Sequence, residues 1–244
     1  MITALRSTLF LAALALLTPP FTLLLLLCFW LPHRTRLRLV QPWVYTAIWL
    51  IEHLLGIRSR VLGRENIPPR SVVVLAKHQS AWETIVLQAV FRDLVFVWKK
   101  EIIWLPFFGW ALALTPMISI DRNAGKKALR QLLSVGKQRL DDGYSVAIFP
   151  EGTRVNPGDR HRYQPGGAFL AHAAAAPVIP VALNSGEVWG KNAFFKKSGT
   201  VTVSIGPAID PAGRRVDEIN QQAEAWIEAE MRHISPHLYA HENA

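Results

Sequence analysis

Cysteine is all but missing from this chain of 244 residues, and Cys28 stands alone. An intrachain disulfide and a Cys-rich metal site are therefore excluded. Acidic side chains are also in deficit: 18 Asp and Glu against 27 Lys and Arg leave a net charge of +9. Such an excess calls for an anionic partner, whether nucleic acid, acidic lipid or a phosphorylated substrate. No histidine–carboxylate set has metal-ligand spacing, and no Gly-x-Ser-x-Gly elbow supplies a nucleophilic serine. There is no internal repeat and no low-complexity tract. What is abundant is apolar: half the residues are hydrophobic, nine are tryptophan, and the mean hydropathy is +0.18. Tryptophan gathers at bilayer interfaces, so a phospholipid membrane is the expected partner and nucleic acid is not.

Charge vanishes altogether from Ser7 to Pro32. A cleaved signal peptide would need a small-residue site after one apolar block, yet a second block follows at once, so the segment is expected to stay. Pro19-Pro20 divides it into halves of about twelve residues, ~17 Å each as helix, against a hydrocarbon core of ~30 Å. One kinked spanning helix and a hairpin dipping into one leaflet are both open. Arg6 at one end and Arg34, Arg36 and Arg38 at the other favour the hairpin, since positive charge stays cytoplasmic. Trp43, Val44, Ala47, Ile48, Ile51, Leu54 and Leu55 then follow at helical spacing. The stripe is expected to lie on the membrane surface, with an ordinary core-facing helix as the alternative. Residues 1–60 are thus expected to form a membrane anchor, and residues 61–244 a catalytic domain.

Beyond residue 61 short Val- and Ile-rich runs alternate with helical patterns. Strands are predicted over Ser71–Ala76, Leu94–Trp98, Met117–Ile120, Ser145–Phe149, Val178–Leu183 and Thr200–Ile205. Helices are predicted over Ala81–Val90, Glu101–Leu112, Gly125–Asp141, Pro165–Ala175 and Arg215–Ile234. The alternation implies an α/β fold with a mainly parallel sheet flanked by helices, in which sites collect beyond the carboxyl ends of strands.

Two short segments sit at such ends. In His78-Gln79-Ser80-Ala81-Trp82-Glu83 an imidazole is followed five residues later by a carboxylate. About 500° of helical rotation would separate them on a continuous helix, so they meet only if His78 turns back over the first turn. Ser80 and Glu83 also have capping-box spacing, and the residues alone leave cap and catalytic pair both open. As a pair they would make a general base with an orienting carboxylate. With Ser80 committed to the cap, the nucleophile would come from the substrate. In Phe149-Pro150-Glu151-Gly152-Thr153-Arg154, Gly152 would let backbone amides approach a ligand and Arg154 would grip phosphate in a two-pronged fashion. A plain turn with a surface ion pair is the competing reading.

These two segments, together with Lys100-Glu101-Ile102 through Pro106-Phe107-Phe108-Gly109 to Ile120-Asp121-Arg122, and Val178-Ile179-Pro180-Val181, resemble in order and spacing the glycerolipid acyltransferases. The likeness covers about residues 60–207 and is to the lysophosphatidate acyltransferases in particular. It implies a general base at His78 partnered by Glu83, and a glycerol-phosphate site drawn from Arg122, Glu151, Gly152, Thr153 and Arg154, with Pro180 shaping it. It further implies no cofactor and no metal. The implied reaction is transfer of a fatty acyl group from acyl-CoA or acyl carrier protein to lysophosphatidate, on the cytoplasmic face of a membrane. Glutamate at position 83, where the family commonly has aspartate, is a departure shared with the late acyltransferases of lipid A assembly. Another lysolipid acceptor, such as a lyso-ornithine lipid or a lipid A precursor, or a catalytically idle lipid-binding protein, stays open at this point.

Overall fold

In the computed structural model, which describes residues 1–240, the short apolar runs become strands of one seven-stranded sheet. The strands are β1 (Ile57–Leu62), β2 (Val73–Ala76), β3 (Leu94–Lys99), β4 (Ile118–Ile120), β5 (Ser145–Ile148), β6 (Val178–Leu183) and β7 (Gly199–Ile205). Their spatial order is β1-β7-β6-β2-β5-β3-β4, and every neighbouring pair is parallel except β6 with β7. The central strands β2, β5 and β6 are buried along their whole length, which is why they read as unbroken aliphatic runs. Helices α3 (Trp82–Val90), α4 (Phe108–Leu114), α5 (Lys126–Asp141), α6 (Gly166–Ala174) and α7 (Val216–Ile234) flank the sheet. Because β6, β2, β5, β3 and β4 are adjacent and run the same way, their carboxyl ends share one edge. The segments beginning at Asn184, Lys77, Phe149, Lys100 and Asp121 all leave the sheet there.

Four expectations change. The stretch 7–32 is not folded on itself at the prolines, because α1 (Ile2–Leu27) runs straight through Pro19 and Pro20. Its docked face holds it in one piece: Ser7 and Phe10 before the prolines, and Thr22 and Leu25 after them, are all buried. A hairpin does form, but its second arm is α2 (His33–His53), where the Trp43–Ile51 stripe lies. That stripe faces the protein core rather than a bilayer, with Val44, Ala47 and Ile51 at most 1% exposed. Arg34 is likewise turned to the domain, where it meets Asp93 at 3.6 Å and the carbonyls of Asp142 and Gly143.

The sheet also begins earlier than expected. β1 crosses the anticipated boundary at residue 60 and pairs with β7 through six registered residues. It was hidden because Arg58, Ser59 and Arg60 are exposed, the charged dress of an edge strand. Finally, the helix anticipated over Glu101–Leu112 is broken into a 3-10 turn (Lys100–Trp104) and α4. Pro106 forces Leu105 into an extended conformation, and Phe107 takes a positive φ of 62°. Gly109 lets the two pieces close up, since a Cβ there would lie 2.1 Å from the Ile102 carbonyl oxygen.

Candidate active site

His78 leaves β2 two residues after Ala76, and its main chain is clamped by the other conspicuous segment. Its amide donates to Glu151 Oε1 at 3.2 Å, and its carbonyl accepts from the Val155 amide at 2.8 Å. The imidazole stacks on Phe149, with ring centres 3.9 Å apart and planes 13° off parallel. The ring is therefore fixed in position and in tilt. Nδ1 lies 2.9 Å from Glu83 Oε1, so the chain does turn back over the start of α3.

Glu83 shows why cap and pair need not compete. Its Oε1 accepts from the amides of Gln79 (2.7 Å) and Ser80 (2.8 Å) as well as facing Nδ1. Its Oε2 accepts from the hydroxyls of Ser80 (2.7 Å) and Ser185 (2.8 Å). Ser80 Oγ in turn takes the Trp82 amide at 2.9 Å, closing the first turn of the helix. Burial alone would push this carboxyl up, but His78, through its hydrogen bond and its charge, and Ser80 outweigh it, so the pKa falls below the ordinary carboxylate value. An ionised acceptor at Nδ1 holds the ring proton on that nitrogen and leaves Nε2 with its lone pair.

The second segment divides in function. Glu151 turns inward behind His78 and does not line the cavity described below. It lies 3.7 Å from Lys77 Nζ, itself fully buried and 2.7 Å from Glu228 of α7, which also accepts from Tyr163. Burial raises the Glu151 pKa to about 7 against the pull of Lys77 and the His78 amide. Gly152 has φ +72°, the left-handed region, with open space around it, and its carbonyl accepts from Arg122. Thr153 and Arg154 face the cavity, and Arg154 has no hydrogen bond or ion pair to any described residue. Pro180 is buried in β6 beside Gly206 and does not reach the cavity.

That cavity has a volume of about 470 Å³. His78, Arg122, Thr153 and Arg154 contribute to its lining, and the apolar part comes from Phe21, Leu25, Trp43, Ile85, Phe108 and Met117. The N-terminal hairpin is thus a wall of the site, tied to the domain by Thr22 Oγ1 donating to the Phe107 carbonyl (3.0 Å), while Trp43 Nε1 donates to Thr18 Oγ1 (3.2 Å) and joins its two arms. Ser185 was missed in the sequence, although it sits at a strand exit as the other site residues do. Among the described residues no group of His, Cys, Asp or Glu could hold a metal ion.

Comparison with known proteins identifies the family. The family model described as Acyltransferase matches residues 58–184. A 1-acyl-sn-glycerol-3-phosphate acyltransferase of Pseudomonas aeruginosa is 48% identical over 210 residues, 84% of this chain and 82% of that one. The mouse 1-acyl-sn-glycerol-3-phosphate acyltransferase alpha is 30% identical over 178 residues, 71% of this chain and 62% of its own length. The crystal structure of the 1-acyl-sn-glycerophosphate acyltransferase of Thermotoga maritima shares the fold, with a TM-score of 0.78 over 96% of this chain and 97% of that one, at 21% identity. On that family match and on the relatives that span most of its length, the chain belongs to the acyltransferase family that includes the 1-acyl-sn-glycerol-3-phosphate acyltransferases.

Proposed function

We propose that the protein transfers a fatty acyl group from a thioester, acyl-CoA or acyl carrier protein, to the sn-2 hydroxyl of 1-acyl-sn-glycerol-3-phosphate, giving phosphatidate. The observation that carries this reading is the oriented His78–Glu83 pair in one cavity with an unpaired Arg154 and a long apolar wall. His78 Nε2 takes the hydroxyl proton as the substrate oxygen attacks the thioester carbonyl. Glu83 stabilises the imidazolium so formed. As the tetrahedral intermediate collapses, the C–S bond breaks and His78 returns the proton to the leaving thiolate. No acyl-enzyme forms, because the substrate supplies the nucleophile. Arg154 and Arg122 bind the phosphate, while the apolar wall takes an acyl chain. Glu151 works from behind, fixing the His78 amide.

Membrane attachment belongs to the same reading. α1 is apolar enough to enter a bilayer, with a mean hydropathy of 2.3, and only 17% of that window is buried in the protein. Yet its buried contacts run from Ser7 to Leu25, about 27 Å of helix. A helix docked along the domain over that length cannot cross the bilayer without drawing the domain in with it. α1 therefore lies within one leaflet, on the cytoplasmic side that Arg6 and Arg38 favour.

The test is an acyl-transfer assay on purified protein in detergent, with acyl-CoA or acyl carrier protein as donor and several lysolipids competing as acceptors. Phosphatidate as the main product supports the assignment. Preference for a lyso-ornithine lipid or a lipid A precursor would overturn the headgroup, and no transfer by folded protein would overturn the reaction.

A further inference from the structure

The connection between β6 and β7 holds two adjacent phenylalanines out into solvent. Phe194 and Phe195 are 48% and 57% exposed and pack edge to face with ring centres 5.2 Å apart. They are not the tip of a slack loop. Lys196 beside them is 3% exposed, and its Nζ donates to the Phe194 carbonyl at 2.9 Å and lies 4.9 Å from the Trp189 ring. Its amide donates to Ser7 Oγ of α1 at 3.0 Å, and Trp189 meets Phe10 of α1 edge-on at 5.4 Å. Among the described residues no carboxylate pairs with Lys196, and burial lowers its pKa. Burying a lysine without a counter-ion is costly, and here it pins a loop that holds two aromatic rings exposed.

The surroundings have a direction. Lys191 and Lys197 are exposed, and neither ammonium has a hydrogen bond or ion pair to a described residue. The contacts to Ser7 and Phe10 set the loop against the N-terminal half of α1, where Leu5 and Leu9 are exposed, with Leu16 exposed just beyond. Lys191 also lines the cavity that holds His78. We propose that this loop is a second lipid-contacting element, in which Phe194 and Phe195 enter the headgroup–acyl boundary of an anionic bilayer while Lys191 and Lys197 meet its phosphates. Aromatic rings favour that depth and basic side chains favour that surface. The proposal rests on the reading of α1 as membrane-bound and deepens it. α1 is exposed to lipid over most of its girth, so it does not by itself choose which way the domain rolls. The loop does, and it turns the Lys191 edge of the cavity toward the membrane.

The test uses the full chain with Cys28→Ser and one new attachment site for an environment-sensitive fluorophore: Phe195→Cys, Leu16→Cys on α1, or Gln221→Cys on the exposed side of α7. Each is mixed with phosphatidylcholine–phosphatidylglycerol vesicles containing a spin-labelled lipid quencher. A blue shift and quenching at position 195 comparable to position 16, with neither at 221, is expected. A label at 195 that behaves like 221 while 16 is quenched overturns the loop proposal alone. Water-like signals at both 195 and 16 overturn the reading of α1 as well. Because the fluorophore is itself apolar, the unlabelled double variant F194S/F195S supplies a second readout. Its partition into the same vesicles should fall about tenfold or more, while turnover in detergent is unchanged. Undiminished partition would also refute the loop's role.

Discussion

Replacing Glu83 by glutamine separates charge from shape at the centre of this site. The carboxylate receives five hydrogen bonds, three on Oε1 and two on Oε2, and both Oε2 donors are hydroxyls. A glutamine carbonyl can stand at Oε1 and keep the His78, Gln79 and Ser80 donors. Its NH2 would then sit at Oε2 and donate to Ser80 and Ser185, whose hydroxyls rotate to accept. The fold should thus survive. Hydrogen bonds to the lost charge weaken by about 1 kcal/mol each. Relief of burying that charge offsets part of this, for a net loss of about 1–2 kcal/mol, or about 2–8 °C in Tm. Catalysis should lose more. An imidazolium and a carboxylate about 4 Å apart interact by about 4 kcal/mol at an effective dielectric of 20, which corresponds to ~10³ in kcat. The assay is steady-state acyl transfer normalised to folded protein, with Tm measured on the same preparation. Glu83→Gln protein that keeps turnover within a few-fold while its Tm falls would mean that Glu83 is a helix cap and nothing more.

Ser185→Ala removes one charge-assisted bond from the same carboxylate, so it should cost about 1.5–3 kcal/mol in urea unfolding and no more than ~tenfold in kcat. Wild-type behaviour in both would remove Ser185 from the site. Arg154→Ala should raise KM for lysophosphatidate ~10- to 100-fold with kcat nearly unchanged. An unchanged KM would move phosphate binding elsewhere. Glu151 makes stability depend on pH with a definite sign: its folded pKa, about 7, exceeds the unfolded value of 4.5, so its contribution is greatest below 4.5 and is lost as pH rises toward 7. The loss is at most about 3 kcal/mol, and denaturation of Glu151→Gln across pH 5–7.5 should lack it. Glu83, with its folded pKa depressed, has the opposite sign: its contribution is present above the unfolded value and disappears as acid protonates it.

The sequence spelled out the parts of the site that depend on short-range geometry. Ser80 and Glu83, three residues apart after an aliphatic run, define the start of a helix, and His78 just before it has one way to reach the carboxylate. Strand exits placed Arg122, Thr153 and Arg154 on the same edge. What was not legible depends on contacts between distant residues. Ser185 reaches Glu83 across 102 residues, and Lys77 finds Glu228 across 151. Glu151 read as part of the glycerol-phosphate site, and nothing local reveals the Lys77 ammonium and the His78 amide behind it. The N-terminal segment read as a membrane anchor because its composition reports the exposed apolar face, not the narrow face that docks. Because of that docking, truncation near residue 60 would remove the cavity wall and most of β1, and so would test folding rather than membrane attachment.

The central claim is that His78 is the base that activates the acceptor hydroxyl, and its most direct test is the turnover of His78→Ala. The side chain is held by Phe149 and Glu83 but carries neither clamp on its own backbone, which Glu151 and Val155 keep through main-chain atoms. The variant should therefore fold and bind vesicles as the wild type does, yet form phosphatidate at least ~100-fold more slowly. Folded, vesicle-bound His78→Ala that turns over at the wild-type rate would contradict the account.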